Sequence, residues 1–132
     1  MIQTYATVIG VCKFGEKILI LHRTSARHSS PNLWQPVSGF IGERESAEDA
    51  ALREVKEETG LDGKIAKSGE IFNVTDQWGR WIIVPYLISV DSDKVKIDTN
   101  EHSEYRWINP DEIKNFDTVK GVFEDLKAIG IL

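Results

Sequence analysis

Between residues 39 and 61 the chain reads GFIGERESAEDAALREVKEETGL. Glu54, Glu57 and Glu58 stand at i, i+3 and i+4, so on a helix their carboxylates share one face. Like charges a few ångströms apart repel by about 1 kcal/mol in water and by about 4 kcal/mol at the intermediate dielectric of a protein surface. A hard divalent cation turns that repulsion into binding, because Mg²⁺ prefers carboxylate oxygens and water. The rival reading of the three carboxylates alone is a solvated helix face, with Lys56 and Arg53 in ordinary ion pairs.

The local signals around this face predict the helix that must carry it. Ser46 is an N-cap candidate, with Asp49 three residues on, where a capping box has Glu or Gln. Ala47, Ala50, Ala51, Leu52 and Val55 form a small-residue packing face, and Gly60 is a C-cap signal. The expected helix is about 14 residues long. Upstream, the β-branched run Thr4 to Cys12 and the run Ile18 to His22 read as strands. The turn Phe14-Gly15-Glu16-Lys17 between them suggests a hairpin. Thr24 to Asn32 is a polar loop, and Trp34 to Phe40 leads into the carboxylate segment. Downstream, Ile71 to Val74 and Trp81 to Val90 read as strands around the turn-like Asp76-Gln77-Trp78-Gly79. Glu104 to Ile108 reads as a short strand, Asn109-Pro110-Asp111 opens a short helix, and Thr118 to Ile129 is an amphipathic helix. This order predicts a single α/β (α+β) domain over residues 1–132, a sandwich built on a mixed sheet.

Composition narrows the class. The chain has 132 residues, 41% hydrophobic and 28% charged, which suits one soluble globule. Its net charge of −5 argues against non-specific binding to nucleic acid or an acidic membrane. A cation on the glutamates would make the local charge there differ from the net charge. The one cysteine, Cys12, lies in an apolar run and reads as a core residue of a protein in a reducing compartment, the cytoplasm. No signal peptide and no transmembrane-length run is evident. No D-x-D-x-D-G calcium loop is present, which argues against a structural Ca²⁺-binding protein.

The whole pattern is G-x5-E-x7-R-E-[apolar]-x-E-E-x-G-[apolar], running from Gly39 through Glu45, Arg53, Glu54, Glu57 and Glu58 to Gly60 and Leu61. It resembles the signature of the MutT/Nudix hydrolases. The resemblance implies an α/β/α sandwich, Mg²⁺ or Mn²⁺ as cofactor, and cleavage of a diphosphate linked to another moiety. It also implies Glu54, Glu57 and Glu58 as metal ligands and a salt bridge between Glu45 and Arg53. The planar guanidinium of Arg53 suits such a bridge and can orient the neighbouring Glu54. Gly39 would let the loop approach the metal and phosphate closely. Relatives carry glycine where this chain has Ser38; the backbone carbonyl there is a metal ligand in the family, and serine still supplies one.

Two flanking segments extend the resemblance. Glu101-His102-Ser103-Glu104-Tyr105-Arg106-Trp107 is similar to the E-H-x-x-Y-x-W segment of Nudix nucleotide hydrolases. It implies Glu101 as a fourth carboxylate, metal ligand or general base, with Glu104 as its rival. His102 then reads as a substrate contact or as a loop residue. Trp34-Gln35-Pro36-Val37-Ser38-Gly39 is similar to the lead-in of bacterial dATP and dihydroneopterin triphosphate pyrophosphohydrolases. It implies a nucleotide or pterin phosphate as the small-molecule partner and Gln35 as part of its site. Trp34 could stack on that heterocycle or sit in the core; Trp78, Trp81 and Tyr86 are further aromatic candidates that read more readily as packing. Arg23 could hold phosphate oxygens, and Arg27 reads equally as solvated. Either Glu54 or Glu101 would take the proton of the attacking water. A non-catalytic Nudix binding module is disfavoured, because every glutamate of the signature is present. Oligomeric state stays open.

Overall fold

The computed structural model describes residues 1–132. Eight strands form one mixed sheet: β1 (Thr4–Phe14), β2 (Lys17–Arg23), β3 (Trp34–Gln35), β4 (Val37–Phe40), β5 (Gly63–Ser68), β6 (Phe72–Asp76), β7 (Gly79–Val90) and β8 (His102–Ile108). Helix α1 covers Ala47–Thr59 and α2 covers Val122–Ala128, with a 3₁₀ turn at Pro110–Asn115. β1 and β7 pair in parallel at the centre, and the other pairings are antiparallel.

The period-2 alternation of the central strands divides the core in two. Val8, Cys12, Leu19 and Leu21 face α1, where Ala50, Ala51 and Val55 complete one cluster. Ile9, Val11, Ile18 and Ile20 face the other way, onto Ile113, Val122, Leu126 and Ile129. The sheet is thus covered on both faces, as the alternation requires. Cys12 is fully buried, and burial raises its thiol pKa to about 12.

Several elements differ from their sequence expectations for physical reasons. The β1–β2 hairpin is paired only beside its turn, at Lys13↔Ile18 and Phe14↔Lys17. Beyond it, β1 turns to β4 and β2 turns to β3 and β8. β5 carries no alternating apolar signal, being GKIAKS with mostly exposed side chains. It is a polar edge recruited by backbone pairing with β7. The C-terminal amphipathic stretch is helical only from Val122, because Gly121 takes a left-handed conformation at φ 102°. Ahead of it, Thr118 forms a bridge with Trp34 instead of a helical turn. The short helix after Asn109 is a 3₁₀ turn capped by reciprocal Asn109 and Glu112 contacts.

Candidate active site

Helix α1 begins at Ser46, whose side chain accepts from the Asp49 N–H, and ends at Gly60, left-handed at φ 75°. The cap glycine's N–H donates to the Lys56 carbonyl, satisfying one of the last-turn acceptors. Between these stops the glutamates fall on one side of the last two turns, at graded depths. The side chains of Glu57, Glu54 and Glu58 are 58%, 14% and 4% exposed.

Arg53 ties the preceding loop to this face. Its Nε and Nη2 donate to the Glu45 carboxylate at 2.6–3.2 Å, and Nη2 also reaches the Phe40 carbonyl at 3.1 Å. Nη1 donates to Glu54 at 2.8 Å and to Glu57 at 3.1 Å. Glu45 in turn accepts from the Gly42 N–H at 2.6 Å. These bonds from Arg53 hold the Glu45 carboxyl below its ordinary pKa. Gly39 lies against the other side of Glu54: a Cβ there would collide with the Glu54 carboxyl itself. Its φ is not positive, so the requirement for glycine is one of close approach and not of backbone conformation.

The deeper carboxylates are held at an electrostatic cost. Burial raises the pKa of Glu54, opposed by Arg53 and helped by Glu57 and Glu101. Glu58 is pushed well above the carboxylate range, by burial first, then by Glu101 and Glu54, while the Ser38 backbone N–H opposes the rise. Its Oε2 is buried without a hydrogen-bond partner. Ligand atoms of Glu58, Glu101 and His102 lie within 4.8 Å of one another. An orphaned buried oxygen amid converging carboxylates fits a divalent cation, which would replace the missing partner and relieve the repulsion.

A cleft of about 380 Å³ runs from this cluster to the α2 side of the sheet. Arg23, Arg27, Ser38, Gly39, Glu54 and Glu101 line one part of it. Thr7, Ile9, Trp81, Ile83, Val122 and Asp125 line the other. Arg27 faces Glu101, with its Nη1 3.8 Å from the carboxylate and 3.4 Å from the backbone carbonyl. Gln35 also borders the cleft and donates to the Ser38 hydroxyl at 2.9 Å.

Other nominated residues are engaged partly or wholly within the fold. Trp34 does not line the cleft; its ring belongs to the α2-side core. It meets Phe116 edge-on at 5.3 Å and His22 at 4.9 Å, with the Arg106 guanidinium 5.7 Å away. Of its two readings, packing is the one the geometry carries. His102 is not a loop residue: it opens β8, fully buried, with Nδ1 3.9 Å from Glu58 Oε1. Burial, and then Arg27, lower its pKa to about 4, so it stays neutral. Glu104 sits outside the cluster, exposed on β8 and 3.6 Å from Arg106. Arg23 borders the cleft but is nearly buried, and its Nε and Nη2 are committed to Ser29 and Ser30. Its bonds brace a loop in which Ser30 and Asn32 hold positive φ.

The cleft's aromatic wall is Trp81, which the sequence offered as a further aromatic candidate while favouring packing. Trp81 stacks on Tyr5 at 4.7 Å and donates its indole N–H to Asp76 at 3.0 Å, so its ring is fixed. Asp125 was not foreseen at all. It follows Val122 by three residues and shares the stripe of Leu126 and Ile129, a spacing that could have marked it as facing inward.

The NUDIX domain model matches residues 1–126, and the chain belongs to the Nudix hydrolase family. Among curated proteins, the m7GpppN-mRNA hydrolase NUDT17 of Danio rerio is 46% identical over 46 residues, 35% of this chain and 15% of that protein. The asymmetrical bis(5'-nucleosyl)-tetraphosphatase of Sus scrofa is 28% identical over 118 residues, covering 86% of this chain and 75% of the relative. Among solved structures, a MutT NUDIX hydrolase from Burkholderia pseudomallei superposes with a TM-score of 0.80 at 19% identity, covering 96% of this chain and 98% of that one. The last comparison concerns the fold. No helix of the chain is long and apolar enough to cross a membrane.

Proposed function

We propose that residues 1–132 act as one catalytic domain, in the cytoplasm, that hydrolyses a nucleoside or pterin triphosphate to the monophosphate and pyrophosphate. Glu54, Glu57, Glu58, Glu101 and the Ser38 carbonyl are the residues that would hold Mg²⁺ or Mn²⁺. The bound cation would supply charge neutralisation at the diphosphate and make water more acidic. The observation carrying this reading is that Glu54 and Glu101 share one cleft with an apolar wall that includes an aromatic ring.

The protein's own groups have separable tasks. Arg53 orients Glu54 and, through Glu45, the loop that bears Gly39. Glu54 or Glu101 accepts the proton of the attacking water, and burial, by raising the Glu54 pKa, makes that carboxylate the stronger base. Water oxygen bonds to the α-phosphorus, the bond from that phosphorus to the bridging oxygen breaks, and pyrophosphate leaves. Arg27, and the Nη1 of Arg23 that its loop bonds do not use, are the cations available for phosphate oxygens.

Glu57→Gln keeps the size of an exposed side chain and removes one charge. Turnover with a triphosphate at limiting Mg²⁺ is expected to fall by orders of magnitude while the circular dichroism spectrum is unchanged. Near-wild-type turnover would refute the ligand assignment. Hydrolysis in ¹⁸O water with phosphate and pyrophosphate read separately tests the bond cleaved. A dinucleoside polyphosphate, ADP-ribose, an oxidised purine nucleotide or a capped RNA outpacing every ordinary triphosphate would replace the substrate assignment.

A further inference from the structure

Helix α2 brings a carboxylic acid into the apolar part of the cleft. Asp125 is 2% exposed, lines the cleft, and has its Oδ1 buried without a hydrogen-bond partner. Ile9, Ile83 and Val122, all buried apolar side chains, line the same cleft. No basic side chain forms an ion pair with Asp125. Lys120, the lysine of this wall, donates its ammonium to the Thr75 carbonyl at 2.6 Å. A buried polar atom left unpaired ordinarily costs stability. Helix packing alone would be served as well by leucine at this position of the stripe. The pocket therefore combines a fixed indole at Trp81, the half-exposed ring of Phe40 and one unused hydrogen-bonding group. This is the composition of a site for a flat, largely apolar ligand with few polar atoms.

We propose that Asp125 reads the edge of a planar nitrogen heterocycle, donating one hydrogen bond and accepting one. Every ordinary nucleobase offers such an adjacent donor and acceptor on its pairing edge, whereas a sugar, an inositol or an alkyl group does not present them in a plane. Burial, with Glu124 adding to it, pushes the Asp125 carboxyl well above its ordinary pKa, which leaves the O–H needed for donation. An ionised carboxylate would accept two bonds and donate none. The inference rests on the triphosphate reading for the identity of the ligand, but its binding step does not require hydrolysis.

Two substitutions separate a neutral acid from an ionised one. Asp125→Asn retains one donor and one acceptor in the same plane, and Asp125→Leu removes both while filling the apolar wall. Calorimetric titrations in EDTA would use AMP, GMP, CMP and UMP, with ribose 5-phosphate as the ligand without a base. At least one monophosphate is expected to bind more tightly than ribose 5-phosphate. For that nucleotide Asp125→Asn should stay within about threefold of wild type, and Asp125→Leu should lose about tenfold to a hundredfold. Mn²⁺ affinity, measured by electron paramagnetic resonance, should be unchanged in both and certifies the fold. Equal losses in the two variants would refute the neutral donor–acceptor role. Undiminished binding by Asp125→Leu, or no monophosphate exceeding ribose 5-phosphate, would refute the subsite. Base-dependent binding without triphosphate hydrolysis would sink the catalytic assignment and leave this one standing.

Discussion

Gly39→Ala is a one-carbon perturbation aimed at the geometry of the catalytic cluster. The new Cβ would fall on the Glu54 carboxyl. Ordinary carbon–carbon contact is about 3.5–4.0 Å, so the carboxyl or the loop must withdraw by more than about 1 Å. Glu54 cannot do so freely, because Arg53 holds it at 2.8 Å while also gripping Glu45 and the Phe40 carbonyl. Overpacking of this kind costs about 1–3 kcal/mol in a rigid setting, and the partial exposure of Glu54 places the effect at the lower end. The effect on rate is larger, since a misplacement of about 1 Å can lower turnover about 100-fold. Activity should therefore fall much further than stability. The assay is kcat/KM for pyrophosphate release at fixed Mg²⁺, alongside thermal melting. Wild-type kcat/KM in a folded Gly39→Ala variant would refute the argument that Glu54 must stand where the structure has it.

Three further outcomes follow from the same geometry. Arg53→Lys keeps the charge but loses the fork that joins Glu45, Glu54 and Glu57; kcat should drop about 10- to 100-fold with KM little changed, and an unaltered kcat would show that the guanidinium orients nothing needed. Glu101→Gln should lower kcat more than it raises KM, whereas Glu104→Gln, on the outer strand, should be silent; the reverse pattern would transfer the role to Glu104. The buried groups should give stability in EDTA two opposing pH dependences. His102, lowered from 6.5 to about 4, binds its proton only in the unfolded chain across that window, so stability rises with pH there. Glu58 and Asp125 are raised, so the folded chain binds protons more tightly and stability falls as pH climbs through their folded values. Glu58→Gln should therefore reduce the fall with rising pH in thermal melts; a pH dependence unaffected by that substitution would count against the buried acid.

The carboxylate face was legible in the sequence because it depends on local geometry. Residues at i, i+3 and i+4 share a helix face wherever the helix goes, and Ser46 and Gly60 delimit that helix through their own capping chemistry. The apolar runs of β1 and β2 were legible as strands for the same local reason, while the covering of both their faces is a tertiary result. The mixed sheet and its family followed from these elements and from the spaced signature. Tertiary structure decided the rest. Trp34 is a core ring because β3 pairs with β2 and Phe116 arrives from far along the chain. His102 is enclosed because β8 begins two residues earlier than its apolar pattern suggests and lies behind Glu58. β5 exists because β7 offers it an edge, not because GKIAKS prefers to be extended. The base chamber joins Ile9, Trp81, Ile83 and Asp125 across widely separated segments, and no spacing within one segment encodes such a meeting. Local periodicity specifies which side chains share a face; only packing of the elements specifies which faces enclose a common space.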